Sequence, residues 1–252
     1  MAGVYEHMRS FMPSGRAGYA VLIDPDKIEL EEVADRVSLV SDYADLVFVG
    51  GSICTRASFE ESVKRIKAAS DVPVVIFPGD STQVSSAADA ILFLSLVSGR
   101  NPELLIGEHV KAAPIVRECG LEVIPVAYIL VESGRMTSVQ FMSQTLAIPR
   151  NKPEIAVAHA LAGEYLGMRA VFLEAGSGAH RHVPADMVEA VRGGVSLPVI
   201  VGGGISTPEI AGRMVRAGAS FVVTGDIVEK RGSKTVLYEF SRAVHENCHE
   251  RG

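Results

Sequence analysis

Eight short apolar runs, each closed by small or polar residues and most followed by a helix-like stretch, dominate this 252-residue sequence. They occupy residues 20–23 into Asp24, 46–49 into Gly50-Gly51-Ser52, 74–77 into Pro78-Gly79, and 91–97 into Ser98-Gly99. The second four occupy 123–131 into Glu132-Ser133-Gly134, 170–173 into Glu174-Ala175-Gly176-Ser177-Gly178, 199–201 into Gly202-Gly203-Gly204, and 221–223 into Thr224-Gly225-Asp226. Runs that are apolar throughout, rather than alternating, belong to strands covered on both faces, as in a parallel sheet wrapped by helices. Helical patterns fill most gaps, over residues 29–41, 57–69, 102–118, 153–167, 184–192, 207–217 and 234–247. Pro102, Pro153 and Pro208 sit where a first-turn proline is tolerated, and Thr207 or Ser206 is placed to cap the helix that follows. Eight such units, in a chain near the ~250 residues usual for this architecture, predict one (β/α)8 TIM barrel over residues 1–252. Segment 80–89 is short and rich in Ser and Ala, so the third helix is expected to be short or missing. Segment 133–152 is long for a connection, and such loops serve as lids or binding elements.

Composition narrows the function classes. A chain 48% hydrophobic and 21% charged buries a substantial core, and a net charge of −6 argues against nucleic acid, whose binders carry a basic face. No apolar run reaches the ~18 residues that span a bilayer, leaving transient membrane contact as the most to expect. Residues 1–18 are amphipathic without the continuous apolar core of a signal peptide. Cys54, Cys119 and Cys248 are far apart and form no CxxC pair, which suits a reducing compartment. A cytoplasmic enzyme is expected, with apolar positions on the outer helices predicting a homo-oligomer.

Active sites of such barrels lie at the carboxyl ends of the strands, which is where the polar and Gly-rich residues cluster. Three of these turns belong together: 174–178, 202–206 and 224–226. Glycines let backbone N–H groups approach an anion closely, and the helix beginning near Thr207 adds its positive end. The alternative is that they only make tight turns. Asp24, first off its strand, is placed to hold Mg²⁺, which prefers oxygen ligands, or else to cap a helix; Asp26 is the better cap. Ser52 offers a hydroxyl to the same ion or simply ends a strand. Glu174 projects toward the barrel mouth, where a carboxylate orients a hydroxyl or takes its proton, unless it only accepts N–H bonds from the following turn. His245 and His249 have the i,i+4 spacing of metal ligands, with a solvated chain end as the alternative. His180-Arg181-His182 reads as a surface loop, with contact to an anion as the alternative, and Met136 and Met142 as groove or core residues.

The chain resembles the archaeal geranylgeranylglyceryl phosphate synthases, relatives of the bacterial heptaprenylglyceryl phosphate synthases. The resemblance rests on residues 22–27 (LIDPDK), 49–52 (VGGS), 127–129 (AYI), 148–154 (IPRNKPE), 173–179 (LEAGSGA), 201–205 (VGGGI) and 223–226 (VTGD). It implies an Mg²⁺-dependent prenyltransferase that joins sn-glycerol 1-phosphate to geranylgeranyl diphosphate, forming the ether of archaeal membrane lipids and releasing diphosphate. It further implies that Asp24 and Ser52 hold Mg²⁺. Phe172, Leu173, Glu174, Ala175, Gly176, Ser177 and Gly178, with Gly203, Gly204, Gly225 and Asp226, would hold glycerol 1-phosphate. Two positions depart from the family: Phe172 stands where Tyr is frequent, removing a phenolic donor, and Asp226 where Asn is frequent, placing a carboxylate beside a phosphate.

Overall fold

The computed structural model describes residues 3–51, 59–225 and 233–248. Eight parallel strands close on themselves in sequence order: β1 (Gly18–Ile23), β2 (Leu46–Val49), β3 (Val74–Ile76), β4 (Ala90–Leu96), β5 (Glu122–Leu130), β6 (Ala170–Glu174), β7 (Val199–Gly202) and β8 (Phe221–Thr224). β1 pairs with both β2 and β8, so no edge is left exposed. Burial on both faces explains the unbroken apolar runs. Alternate residues such as Leu46, Phe48, Ile124, Val126, Phe172 and Ile200 fill the barrel, and their neighbours Val47, Val49, Val171, Leu173 and Val201 pack outward against helices.

The outer layer holds α2 (Val33–Ser41), α3 (Phe59–Ala69), α4 (Glu108–Cys119), α6 (Pro153–Tyr165), α7 (Ala185–Gly194), α8 (Pro208–Arg216) and α9 (Lys234–His245). A short π-helix, Glu103–Gly107, runs directly into α4, and Pro102 stands at its cap. Pro153 and Pro208 open α6 and α8, and the Thr207 hydroxyl accepts the Ile210 N–H at 3.4 Å as the cap of α8. No helix lies between β3 and β4, as the short 80–89 segment implied. Segment 133–152 carries α5 (Ser138–Ser143) and a one-residue bridge from Val131 to Ile148.

Two expectations are corrected. α2 begins at Val33, with Glu32 at the cap position and no side-chain capping bond, so Asp26 does not cap it. The turns over 25–32 that replace its first part follow Asp24, whose carboxylate accepts the Asp26 N–H at 3.1 Å. His245 belongs to no frayed end: its imidazole lies 2.8 Å from Asp45, which also accepts the Tyr19 N–H at 2.7 Å, so it ties α9 to the barrel. His249 lies outside the described residues.

Residues 4–10, within the amphipathic start of the chain, form α1 (Val4–Ser10) and plug the amino-terminal mouth of the barrel. Val4, Tyr5 and Met8 join the interior cluster. Two orphan N–H groups of its first turn, on Val4 and Tyr5, are accepted by the Glu122 carboxylate at 2.6 and 3.0 Å. The Arg169 guanidinium lies 3.6 Å from the centre of the Tyr5 ring, and the Tyr5 hydroxyl donates to the Arg169 carbonyl. With one end sealed, access to the interior is confined to the other. No helix among the described residues is long and apolar enough to cross a membrane. Met8 is fully buried, so Met8→Ala is expected to lower unfolding free energy by about 2–5 kcal/mol in urea titration, whereas Arg9→Ala changes it little.

Candidate functional site

A cavity of about 1250 Å³ opens at the carboxyl ends of the strands. Its polar wall is built from the three glycine turns: Gly176, Ser177 and Gly178 after β6, Gly203 and Gly204 after β7, and Gly225 after β8 all face it. Strand register brings them together. Glu174 pairs with Gly202 across β6 and β7, Val21 pairs with Thr224 across β1 and β8, and the Ala175 N–H donates to the Gly202 carbonyl at 3.1 Å. Gly176 and Gly203 adopt left-handed φ values of 96° and 79°, and the turns touch. A Cβ on Gly203 would fall 2.3 Å from Glu174 Oε1 and 2.5 Å from the Gly176 nitrogen. Only glycine combines that backbone angle with that approach. Gly204, Ile205 and Ser206 lead from this crowded point into the N-terminus of α8. Glycine turns and a helix N-terminus therefore converge on one wall, an arrangement suited to a phosphoryl group.

Glu174 sits at the centre of that wall. It is 8% exposed and lines the cavity, and its Oε1 accepts the Gly176 N–H at 2.5 Å. Burial pushes the carboxyl up to about 7 from an ordinary 4.5, against the lowering effect of the Gly176 and Ala175 N–H groups. A carboxyl poised there changes protonation near neutrality, as a general base requires. Tyr128, on β5, also lines the cavity; burial and the charge of Glu174 hold its phenol well above the usual range, so it stays a neutral hydroxyl. Phe172 packs between Tyr128 and Phe77, with ring centres 5.5 and 5.3 Å away, and forms the floor. Leu173 and Ala175 behave differently from their neighbours: their side chains pack in the outer layer and do not line the cavity.

The opposite wall carries Asp24, Lys27, Gly50 and Gly51. The side chain of Asp24 is 14% exposed, with Lys27 Nζ 3.5 Å from its Oδ2. Ser52 and Asp226 lie outside the described residues. Among the described residues no group of three His, Cys, Asp or Glu is arranged to hold a metal. One hard carboxylate on a cavity wall fits Mg²⁺, an ion that keeps most of its waters and is shared with substrate phosphates rather than caged by protein.

The missing third helix shapes the rest of the cavity. With nothing but turns between β3 and β4, the lining continues over Val84, Ile91, Phe93, Leu104 and Ala112 as an apolar arm beside α4. His109 lies in this arm against Phe93 and within 3.2 Å of Ser95 Oγ, and burial pulls its imidazole below the usual range, so it is neutral at pH 7. Met142 and Val139 of α5 also line the cavity, whereas Met136 is exposed.

Gln83 had no signal in the sequence. Fully buried, its side chain accepts the N–H groups of Gly51 and Gly79 at 3.3 and 3.1 Å and donates to the Gly51 carbonyl at 2.8 Å, clamping the turns after β2 and β3. Tyr128 lies within the AYI stretch, and its proximity to Glu174 follows from the β5–β6 register, in which Tyr128 pairs with Phe172 and Leu130 with Glu174.

Fold and site together define a phosphate-binding (β/α)8 barrel whose mouth joins an anion cradle and a buried carboxyl to an apolar arm. The model of the PcrB family matches residues 13–244, and the chain belongs to that family. It is 44% identical over 243 residues to geranylgeranylglyceryl phosphate synthase of Spirosoma linguale, covering 94% of this chain and 98% of that one. The protein of the same name from Thermococcus gammatolerans is 46% identical over 216 residues, 84% of each chain. Among solved structures, (S)-3-O-geranylgeranylglyceryl phosphate synthase from Thermoplasma acidophilum, in complex with sn-glycerol-1-phosphate, is similar at a TM-score of 0.92 and 36% identity. The match covers 98% of this chain and 100% of that one. Thiamine phosphate pyrophosphorylase from Pyrococcus furiosus, at 0.59 and 14% identity, shares the fold alone.

Because the folded state favours the protonated form of Glu174, the stability this group contributes is full below about pH 4.5 and is lost as pH rises through about 7. Unfolding titrations of the ligand-free protein are therefore expected to show wild type losing stability relative to Glu174→Gln across that window. A constant difference would mean that the carboxyl is not held near neutrality.

Proposed function

We infer that this chain transfers a prenyl group from an allylic diphosphate, geranylgeranyl diphosphate, to the 3-hydroxyl of sn-glycerol 1-phosphate, forming the ether bond of an isoprenoid glycerolipid. The observation that carries this reading is the meeting, at one cavity, of a glycine cradle, a buried carboxyl with its pKa near 7, and a long apolar arm. Barrel enzymes acting on small polar metabolites need the first feature and have no use for the last. Membership in the PcrB family and the names of the related synthases support the same reaction.

In this account the phosphoryl group of glycerol phosphate sits against the backbone N–H groups of residues 177–178 and 203–204 and the N-terminus of α8. That fixes its free hydroxyl beside Glu174, converting a bimolecular encounter into a positioned one. The hydroxyl oxygen forms its bond to the allylic carbon as the carbon–oxygen bond to diphosphate breaks. The proton passes to Glu174, and diphosphate leaves. The neutral Tyr128 hydroxyl next to that carboxyl is placed to donate to the same glycerol oxygens. Burial of the reacting centre excludes water, which would otherwise capture the electron-poor carbon. The isoprenoid tail occupies the arm lined by Ile91, Phe93, Leu104 and Ala112.

Mg²⁺ is the proposed cofactor, held by Asp24 with Ser52 and supplying Lewis-acid neutralisation of the diphosphate. Lys27 adds a fixed positive charge on that side. A homo-oligomer in the cytoplasm is the proposed state, supported by exposed Met136, Phe141 (69%), Leu146 (88%), Tyr165 and Leu166.

The direct test is product formation from labelled prenyl diphosphates of graded length with Mg²⁺, comparing sn-glycerol 1-phosphate with its 3-phosphate enantiomer. Preferred use of the 1-phosphate is expected, and absence of an ether product with every donor would refute the reading. Glu174→Gln is expected to lower kcat by about 10²–10⁴-fold while glycerol phosphate still binds in calorimetry. Asp24→Asn is expected to raise the Mg²⁺ concentration needed for half-maximal rate; an unchanged metal titration would remove Asp24 as a ligand.

A further inference from the structure

The cavity is poor in positive charge for a site that takes two phosphorylated substrates. Among the described residues lining it, Asp24, Asp80, Glu103, Glu108 and Glu174 are carboxylates, and the permanent cations are Lys27 and Arg135. Lys27 is engaged with Asp24 on the β1 side. Arg135 lies on the other side, at the glycine cradle: its Nη2 is 3.0 Å from where a Cβ of Gly178 would stand, and its Nη1 is 3.3 Å from His180 Nε2.

The segment that carries Arg135 is fastened to the cradle rather than hanging over it. The Arg181 N–H donates to the Ser133 carbonyl at 3.1 Å, and the Ser133 hydroxyl donates to the Arg135 carbonyl at 2.8 Å. Arg150 closes the same connection from its far end, donating to the carbonyls of Glu132 and His182 at 3.1 and 2.7 Å. Thr137, 4% exposed, packs against Gly176, where its Oγ1 would meet a Cβ at 2.5 Å, and that hydroxyl has no hydrogen-bond partner. A buried hydroxyl left unpaired is costly, and this one is pressed against the turn proposed to hold the phosphoryl group.

We propose that the 133–152 segment is a working part of the glycerol phosphate site, with Arg135 as the charged residue that neutralises the phosphoryl dianion held by the glycine turns. This rests on the function proposed above and adds to it a phosphate ligand from outside those turns. Physically, a dianion beside the buried Glu174 needs compensation that backbone N–H groups provide only in part. A guanidinium offers forked donors and a charge that does not titrate away. Assigning the two cations to opposite walls also gives each substrate its own: Arg135 for the glycerol phosphate and Lys27 for the diphosphate.

The test compares wild type, Arg135→Gln and Arg135→Lys by steady-state kinetics, with calorimetric binding of sn-glycerol 1-phosphate alone. Arg135→Gln is expected to raise KM and Kd for glycerol phosphate about ten- to hundredfold, leaving KM for the prenyl diphosphate within about twofold, and Arg135→Lys to recover part of the loss. Unchanged glycerol phosphate binding in a folded Arg135→Gln protein would overturn the proposal. An equal rise in both KM values would do so as well, because it would mark a general disturbance of the segment. Inactive wild-type protein would instead refute the proposed function, so the two failures are distinguishable.

Discussion

The structure depends on one close contact: the turns after β6 and β7 meet edge to edge around the carboxylate of Glu174, too tightly for a side chain on Gly203. Strand pairing of Glu174 with Gly202 sets that contact, and the tightness has two consequences. It brings the backbone of both turns to the edge of one cavity, and it buries a carboxyl that would otherwise be ionised throughout the neutral range. On the proposed function, one packing event thus serves both anion binding and proton acceptance near pH 7.

The rest of the barrel serves to direct material to that point. α1 fills the amino-terminal mouth with Val4, Tyr5 and Met8, which pack into the interior cluster on that side. The opposite mouth would be walled by a helix after β3 in a regular eightfold barrel. Here turns replace it, Gln83 ties them to the β2 turn, and the outer face of β4 is left to line an apolar arm. On the proposed function, omission of an element makes room for a long hydrocarbon beside a site for small polar groups.

Much of this was legible in the chain. The strands were readable because both faces of a parallel barrel are covered, so each leaves an unbroken apolar run, and β2 matches residues 46–49 end for end. The absent third helix was readable from the brevity of 80–89. The glycine turns were readable because their composition is tolerated at few other places. What escaped depends on distant contacts. α1 is a seven-residue helix whose apolar face has meaning only against the barrel floor, and its first turn is satisfied by Glu122, more than a hundred residues away. Gln83, Thr137 and Arg135 look like ordinary polar loop residues until folding sets them against Gly51, Gly176 and Gly178. Leu173 and Ala175 sit within a binding motif, yet strand alternation turns their side chains outward. The motif marks a stretch of backbone more than a set of side chains.

The central claim is spatial, and a crystal structure of the protein with sn-glycerol 1-phosphate tests it most directly. The account predicts the phosphoryl oxygens within hydrogen-bond distance, ~3 Å, of the backbone nitrogens of residues 177–178 and 203–204, with a glycerol hydroxyl on Glu174. A phosphoryl group seated on the Asp24 and Gly51 wall instead, with Glu174 out of reach of the glycerol, would contradict it.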